Sequence, residues 1–130
     1  MCNTLHEDAV PIPEEGVGYK LMGIGGKSLL GHQYNGNPFL EIIWSDTLYG
    51  FDRIEEIDRR PCGFCFFLNQ KEAIRAKEAW HFGIGGRWPI MYKIRYWGGL
   101  GSHQENEMIH RMSFTIALCK RFKIISNKEE

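Results

Sequence analysis

The chain has no apolar run near the roughly 20 residues that a bilayer-spanning helix needs, so no such helix is expected. It also has no net charge, because 16 Lys and Arg balance 16 Asp and Glu. A general nucleic-acid binder carries a basic excess, so bulk electrostatics speak against that class and leave only a local basic patch open. There is one CxxC and no second, so the paired-CxxC signature of a structural zinc site is missing, although His103 and His110 could reach the one pair. GIGGKS at 23–28 is not a phosphate loop, because that motif needs glycine where Leu21 stands. The opening MCNTLHEDAVPIPEEG is acidic and polar, unlike a secretory leader. The expectation is a cytoplasmic protein whose four cysteines (Cys2, Cys62, Cys65, Cys119) are thiols.

What is present fits one domain with a real core, since 130 residues suffice for that. Aromatic residues make up 13% and there are 15 glycines, which favours many strands and tight turns over a helical bundle. Residues 62–99 organise the reading as strand, helix, strand. The run Gly63-Phe64-Cys65-Phe66-Phe67-Leu68 is apolar and aromatic, as a buried strand is. Asn69 with Glu72 three residues on forms a capping-box start, and the spacing predicts a helix over about 70–81 with Ala73, Ala76 and Trp80 on its apolar stripe. From Met91 to Trp97 the pattern alternates, with Met91, Lys93 and Arg95 on one face and Tyr92, Ile94 and Tyr96 on the other.

The rest of the chain falls around this unit. Residues 1–16 read as an acidic, proline-bearing arm that is either mobile or laid across the domain. Residues 17–24 read as a first strand, 28–32 as a short second one and 39–44 as a strand or helical turn. Residues 51–61 read as a short amphipathic helix or turn stopped by Pro61. Residues 98–106 (GGLGSHQEN) read as a polar glycine loop. Residues 112–125 form a strand, bent or paired on itself near Lys120-Arg121, and 126–130 a solvated tail. The sum, over 17–125, is a single α+β domain: a mostly antiparallel sheet of five to six strands with one principal helix.

Four groups of residues carry candidate chemistry. The turns at Gly25-Gly26-Lys27 and Gly85-Gly86-Arg87 are either simple turns or backbone nests for an anion with Lys27 or Arg87 adding charge. Cys62 and Cys65 are buried thiols, half a metal site or a redox pair; spacing of three puts the two sulfurs on opposite faces of a strand. Lys93, Arg95 and Trp97, with Arg87, Trp88 and His103 nearby, are either the solvated side of a sheet or a face that binds a nucleotide or an acidic protein surface. Glu105 and Glu107 sit at i and i+2, where an extended backbone turns both carboxylates to one cleft. There one can orient a hydroxyl while the other stabilises positive charge; the plainer reading is a solvated acidic cluster.

Over residues 16–125 the order GYK, CGFCFF, KEA, YWGG, SHQEN resembles small phage- or prophage-encoded domains. Many of those block host defence, anti-CRISPR proteins among them. The resemblance implies a non-enzymatic, cytoplasmic inhibitor in a bacterial host, with a defence protein or ribonucleoprotein complex as partner. Trp88, Arg95, Trp97 and the acidic loop 105–107 would form its contact surface. A second resemblance is to the ADP-ribosyltransferase fold, through Gly63-Phe64-Cys65-Phe66-Phe67, the helix, the strand to Trp97 and Glu105-Asn106-Glu107 as an E-x-E loop. It implies NAD as cosubstrate, Glu107 as catalytic glutamate and Glu105 as its partner. Tyr19-Lys20 stands where that family carries Arg or His. A third reading is a protein that sequesters a nucleotide signal through Lys27, Arg87 and Arg95.

Overall fold

The computed structural model describes residues 5–23, 40–44, 62–79, 89–107 and 112–127. Its elements are β1 (Glu15–Met22), β2 (Ile42–Ile43), β3 (Phe64–Phe66), α1 (Gln70–Ala79), β4 (Ile90–Glu107) and β5 (Met112–Asn127). The strands form one antiparallel sheet with a single helix among the described residues, an α+β arrangement dominated by strands. The short strand expected at 28–32, the turn or helix at 51–61, and Trp80 and His81 at the helix end lie outside the described residues.

β4 is 18 residues long, and it bends. Gly98 has φ +65° and Gly101 φ +148°, values that side chains with a Cβ rarely take, and the ladder with β5 shifts register between Gly99 and Gly101. Before the bend β4 pairs β1, from Met22↔Ile90 to Glu15↔Trp97. Past it the arm takes over the same edge. Gly99 N–H donates to Glu14 O at 3.0 Å, and Val10 and Ser102 exchange backbone hydrogen bonds at 2.9 and 2.8 Å. The arm therefore lies across the domain. Its approach is so close that a Cβ at Gly99 would stand 2.3 Å from Pro13 O.

This corrects the expected loop at 98–106. The segment is strand, because its backbone groups are met by β5 on one edge and by the arm on the other. Glycine and polar side chains hid it from a search for apolar alternation. β5 likewise runs past the expected tail boundary, with Ser126 and Asn127 opposite Lys93 and Tyr92.

The far edge of β5 pairs β3 at Phe64↔Cys119, Cys65↔Leu118 and Phe66↔Ala117, and then β2 at Ile42↔Phe122. Just after β3, Phe67 and Tyr19 exchange hydrogen bonds, both 2.7 Å. The circuit β1–β4–β5–β3 thus closes back on β1 and leaves the inner strands fewer open edges. Gly18 sits at the closure: a Cβ there would meet the Phe66 ring at 2.5 Å.

Alternation sorts the side chains. Met22, Tyr92, Ile94, Tyr96, Ala117 and Cys119 enter the main core with Phe64, Phe66 and Phe122. Phe66 and Tyr96 meet at 4.6 Å between ring centroids, and Phe64 meets Phe122 edge-on at 4.9 Å. Pairs of this kind add about 0.5–1.5 kcal/mol each beyond the area they bury. Lys20 points inward too; it is 4% exposed, and its Nζ donates to Cys65 O at 2.7 Å. A second cluster lies under α1, where Ala73 and Ala76 pack on Leu21, Phe67, Met91, Phe114 and Ile116. Asn69 caps the helix, its Oδ1 accepting from Lys71 N–H at 2.8 Å. Glu72 does not complete the expected capping box; it pairs with Arg75 at 3.1 Å.

Two glycine substitutions separate arm from barrel. Gly18→Ala forces Phe66 from its place and should cost about 1–3 kcal/mol, read as a lower urea midpoint with an unchanged slope. Gly99→Ala should lower that midpoint by less than Gly18→Ala does while speeding hydrogen exchange at Val10 and Ser102.

Candidate functional site

Among the described residues, two places gather chemistry-bearing side chains. The first is the outer face of the sheet just before the bend. Register puts Glu15, Trp97 and Arg121 in one row, and Val17, Arg95 and Lys123 in the next. Ile43 of β2 stands opposite Arg121. The Arg121 guanidinium lies 4.4 Å from the Trp97 ring centroid and that of Arg95 lies 5.3 Å from it. Both are within cation–π range, where the flat ring also restricts the swing of the long side chains.

Each arginine has a carboxylate nearby: Arg95 reaches Glu15 at 3.8 Å and Arg121 reaches Glu41 at 3.6 Å. All four side chains are 38–58% exposed, so solvent screens these pairs and each is worth about 0–1 kcal/mol. Arg121 Nε is buried and has no hydrogen-bond partner. Val17 and Ile43 add exposed apolar surface at 46% and 62%.

The second place is under the arm. His103 was expected to join the cationic face from a loop; instead it is buried, at 4% exposure, because β4 continues through it and the arm covers it. The His6 ring stacks on it with centroids 3.7 Å apart and planes 11° from parallel. The His6 backbone N–H points at His103 Nδ1 at 3.4 Å, and His103 Nε2 lies 3.3 Å from Glu105 Oε2. That pattern makes Nδ1 the acceptor and puts the ring proton on Nε2, shared with the carboxylate. Burial, foremost, and the neighbouring His6 push the His103 pKa below the usual 6.5; Glu105 and Asp8 oppose that shift without reversing it.

The remaining expected residues divide plainly. Lys93, Arg95 and Trp97 share the outer face, with Lys93 half-buried opposite Tyr19. Lys27, Arg87 and Trp88 lie outside the described residues. Glu105 and Glu107 belong to β4, opposite Phe114 and Met112, so the E-x-E segment is a strand and not the expected loop. Cys62 joins the main core and Cys65 the cluster under the helix, so the two sulfurs do part to opposite sides. Burial drives the Cys119 thiol up to about 12, although Lys20 pulls the other way, which leaves it unreactive at neutral pH. Sequence reasoning missed Arg121 and His6. Arg121 was visible only as a possible bend, and nothing local ties His6 to a residue 97 positions away.

No family model matches the chain, and no curated protein or solved structure matches it.

A histidine whose folded pKa is depressed binds its proton more readily when unfolded. Its contribution to stability is therefore complete above the unfolded value of 6.5 and is lost as pH falls from there toward the folded value. In metal-free buffer the urea midpoint should drop between pH 7 and 5, and His103→Gln should flatten that dependence.

Proposed function

We propose that the protein is a non-enzymatic binding domain that occludes an acidic surface of a protein partner, with the outer face around Trp97 as its contact. The observation that carries this is the approach of the Arg95 and Arg121 guanidiniums to one half-buried Trp97 ring, beside exposed Val17 and Ile43. Trp and Arg are the side chains that most often dominate interface energetics. Their stacking holds the cations near the geometry a carboxylate needs, which lowers the ordering cost of association. Glu15 and Glu41 already occupy those cations weakly, so a partner carboxylate has only screened pairs to displace. Arg121 keeps its side chain 38% exposed, so its terminal guanidinium nitrogens are open to a charged acceptor.

Under the likeness to small phage domains, the partner is a host defence protein or ribonucleoprotein complex, and blocking it requires no turnover. The ADP-ribosyltransferase-like reading remains the alternative, with NAD as substrate and Glu107 and Glu105 as its carboxylates. Nothing in the geometry favours it over the surface: Glu105 is held 3.3 Å from His103, and Lys20, the first-strand cation, points into the core.

Capture from bacterial host lysate on immobilised protein tests the reading. Trp97→Ala, and separately Arg95→Glu with Arg121→Glu, should weaken capture at least tenfold while circular dichroism stays native, and Glu107→Gln should leave it intact. Equal capture by all variants would remove this face as the contact. A thermal-shift titration with NAD and a nucleotide panel separates the alternatives: a saturable rise of several degrees that Glu107→Gln abolishes would establish the enzyme reading instead.

A further inference from the structure

The cluster under the arm has a use that the surface reading does not touch. We propose that His6, His103 and Glu105 form a binding site for a borderline divalent cation of the zinc class, and that the ion fastens the arm to β4. Their potential ligand atoms lie within 4.8 Å of one another, one His on the arm and the other two residues at i and i+2 on a strand.

The spacing of the strand pair is the first argument. Ligands held about 2.0–2.1 Å from a tetrahedral zinc stand about 3.3 Å from each other. His103 Nε2 and Glu105 Oε2 already stand 3.3 Å apart. The ion would take the place of the proton they share, and the ring would carry its proton on Nδ1 instead.

The donor set is the second argument. Two imidazoles and one carboxylate suit zinc and its neighbours and leave a fourth position for water. Charge balance is the third: one carboxylate in the site and Asp8 beside His103 offset the incoming cation. Access is the fourth, since Glu105 is 22% exposed at its side chain while that of His103 is fully buried.

One movement is required. Rings stacked at 3.7 Å and 11° cannot both direct an in-plane lone pair at a single ion. His103 is fixed by the sheet, so His6 must turn out of the stack toward the ion. The proton moved to His103 Nδ1 ends the long 3.4 Å contact from the His6 backbone amide, a small loss beside a metal–nitrogen bond.

Calorimetric titration of zinc chloride into the chelator-treated full chain tests this, with cobalt(II) absorption to report the ligands. The expected result is one saturable ion per chain, a cobalt spectrum without a thiolate band, and at least tenfold weaker binding in both His6→Ala and Glu105→Gln. Zinc should also slow hydrogen exchange at Val10 and Ser102 in the wild type. No saturable binding, wild-type affinity in either variant, or a thiolate-to-cobalt band would each overturn the proposal. Both variants spare the fully buried His103 side chain, and circular dichroism establishes that they fold.

Discussion

The bend in β4 is the constraint on which the rest of the structure depends. A strand of 18 residues cannot serve a small sheet while running straight. Positive φ at Gly98 and Gly101 turns it, and the two edges of the strand answer the turn differently. One edge passes from β1 to the arm. The other stays with β5, which absorbs the turn near Lys120 and Arg121. Cys119 and Phe122, three apart, both end in the main core, an impossibility for an unbroken alternation. Trp97 and Arg121 sit on the outer side just before the turn, and His103 sits beyond it beneath the arm. The bend thus separates the proposed contact surface from the histidine cluster.

The interior and the surface are held by different physics. Inside, aromatic rings are stacked edge-on or tilted around a closed circuit of strands, and a single lysine is accommodated by a carbonyl and by two phenylalanine rings 5.5 and 5.9 Å away. Outside, the ion pairs are long and wet. A core of that kind specifies one geometry strongly. Ion pairs of that kind specify almost nothing, which leaves their charged groups at the disposal of a partner.

Much of the framework was legible in the sequence. The alternation from Met91 to Trp97 placed Tyr92, Ile94 and Tyr96 inside, and the Asn69 start and alanine stripe placed α1 against the sheet, because both signals are local and repeat at the period of their element. The strand at 98–107 was not legible. Its glycines answer to the arm and its polar residues to each other: Gln104 joins Ser113 and Thr115 across the ladder at 2.8 and 2.7 Å. Of the proposed contact surface, Arg95 and Trp97 could be read from their own strand. Arg121 could not, since its place opposite Trp97 depends on the register of a hairpin. His103 was misplaced for the same reason, its burial being supplied by residues from the other end of the chain.

The contact between His6 and His103 spans 97 positions of a 130-residue chain. Taken alone, pairing so distant in sequence would close a very large loop, but β1 closes nearly the same loop when it pairs with β4, and the arm simply continues from β1. Lying outermost on an edge that β1 must first align, the arm is expected to dock last, after the folding barrier. Interactions formed that late do little to hasten folding; they act on the reverse rate, slowing escape from the native state. The arm is in this sense a latch on the lifetime of the fold rather than a part of the machinery that produces it.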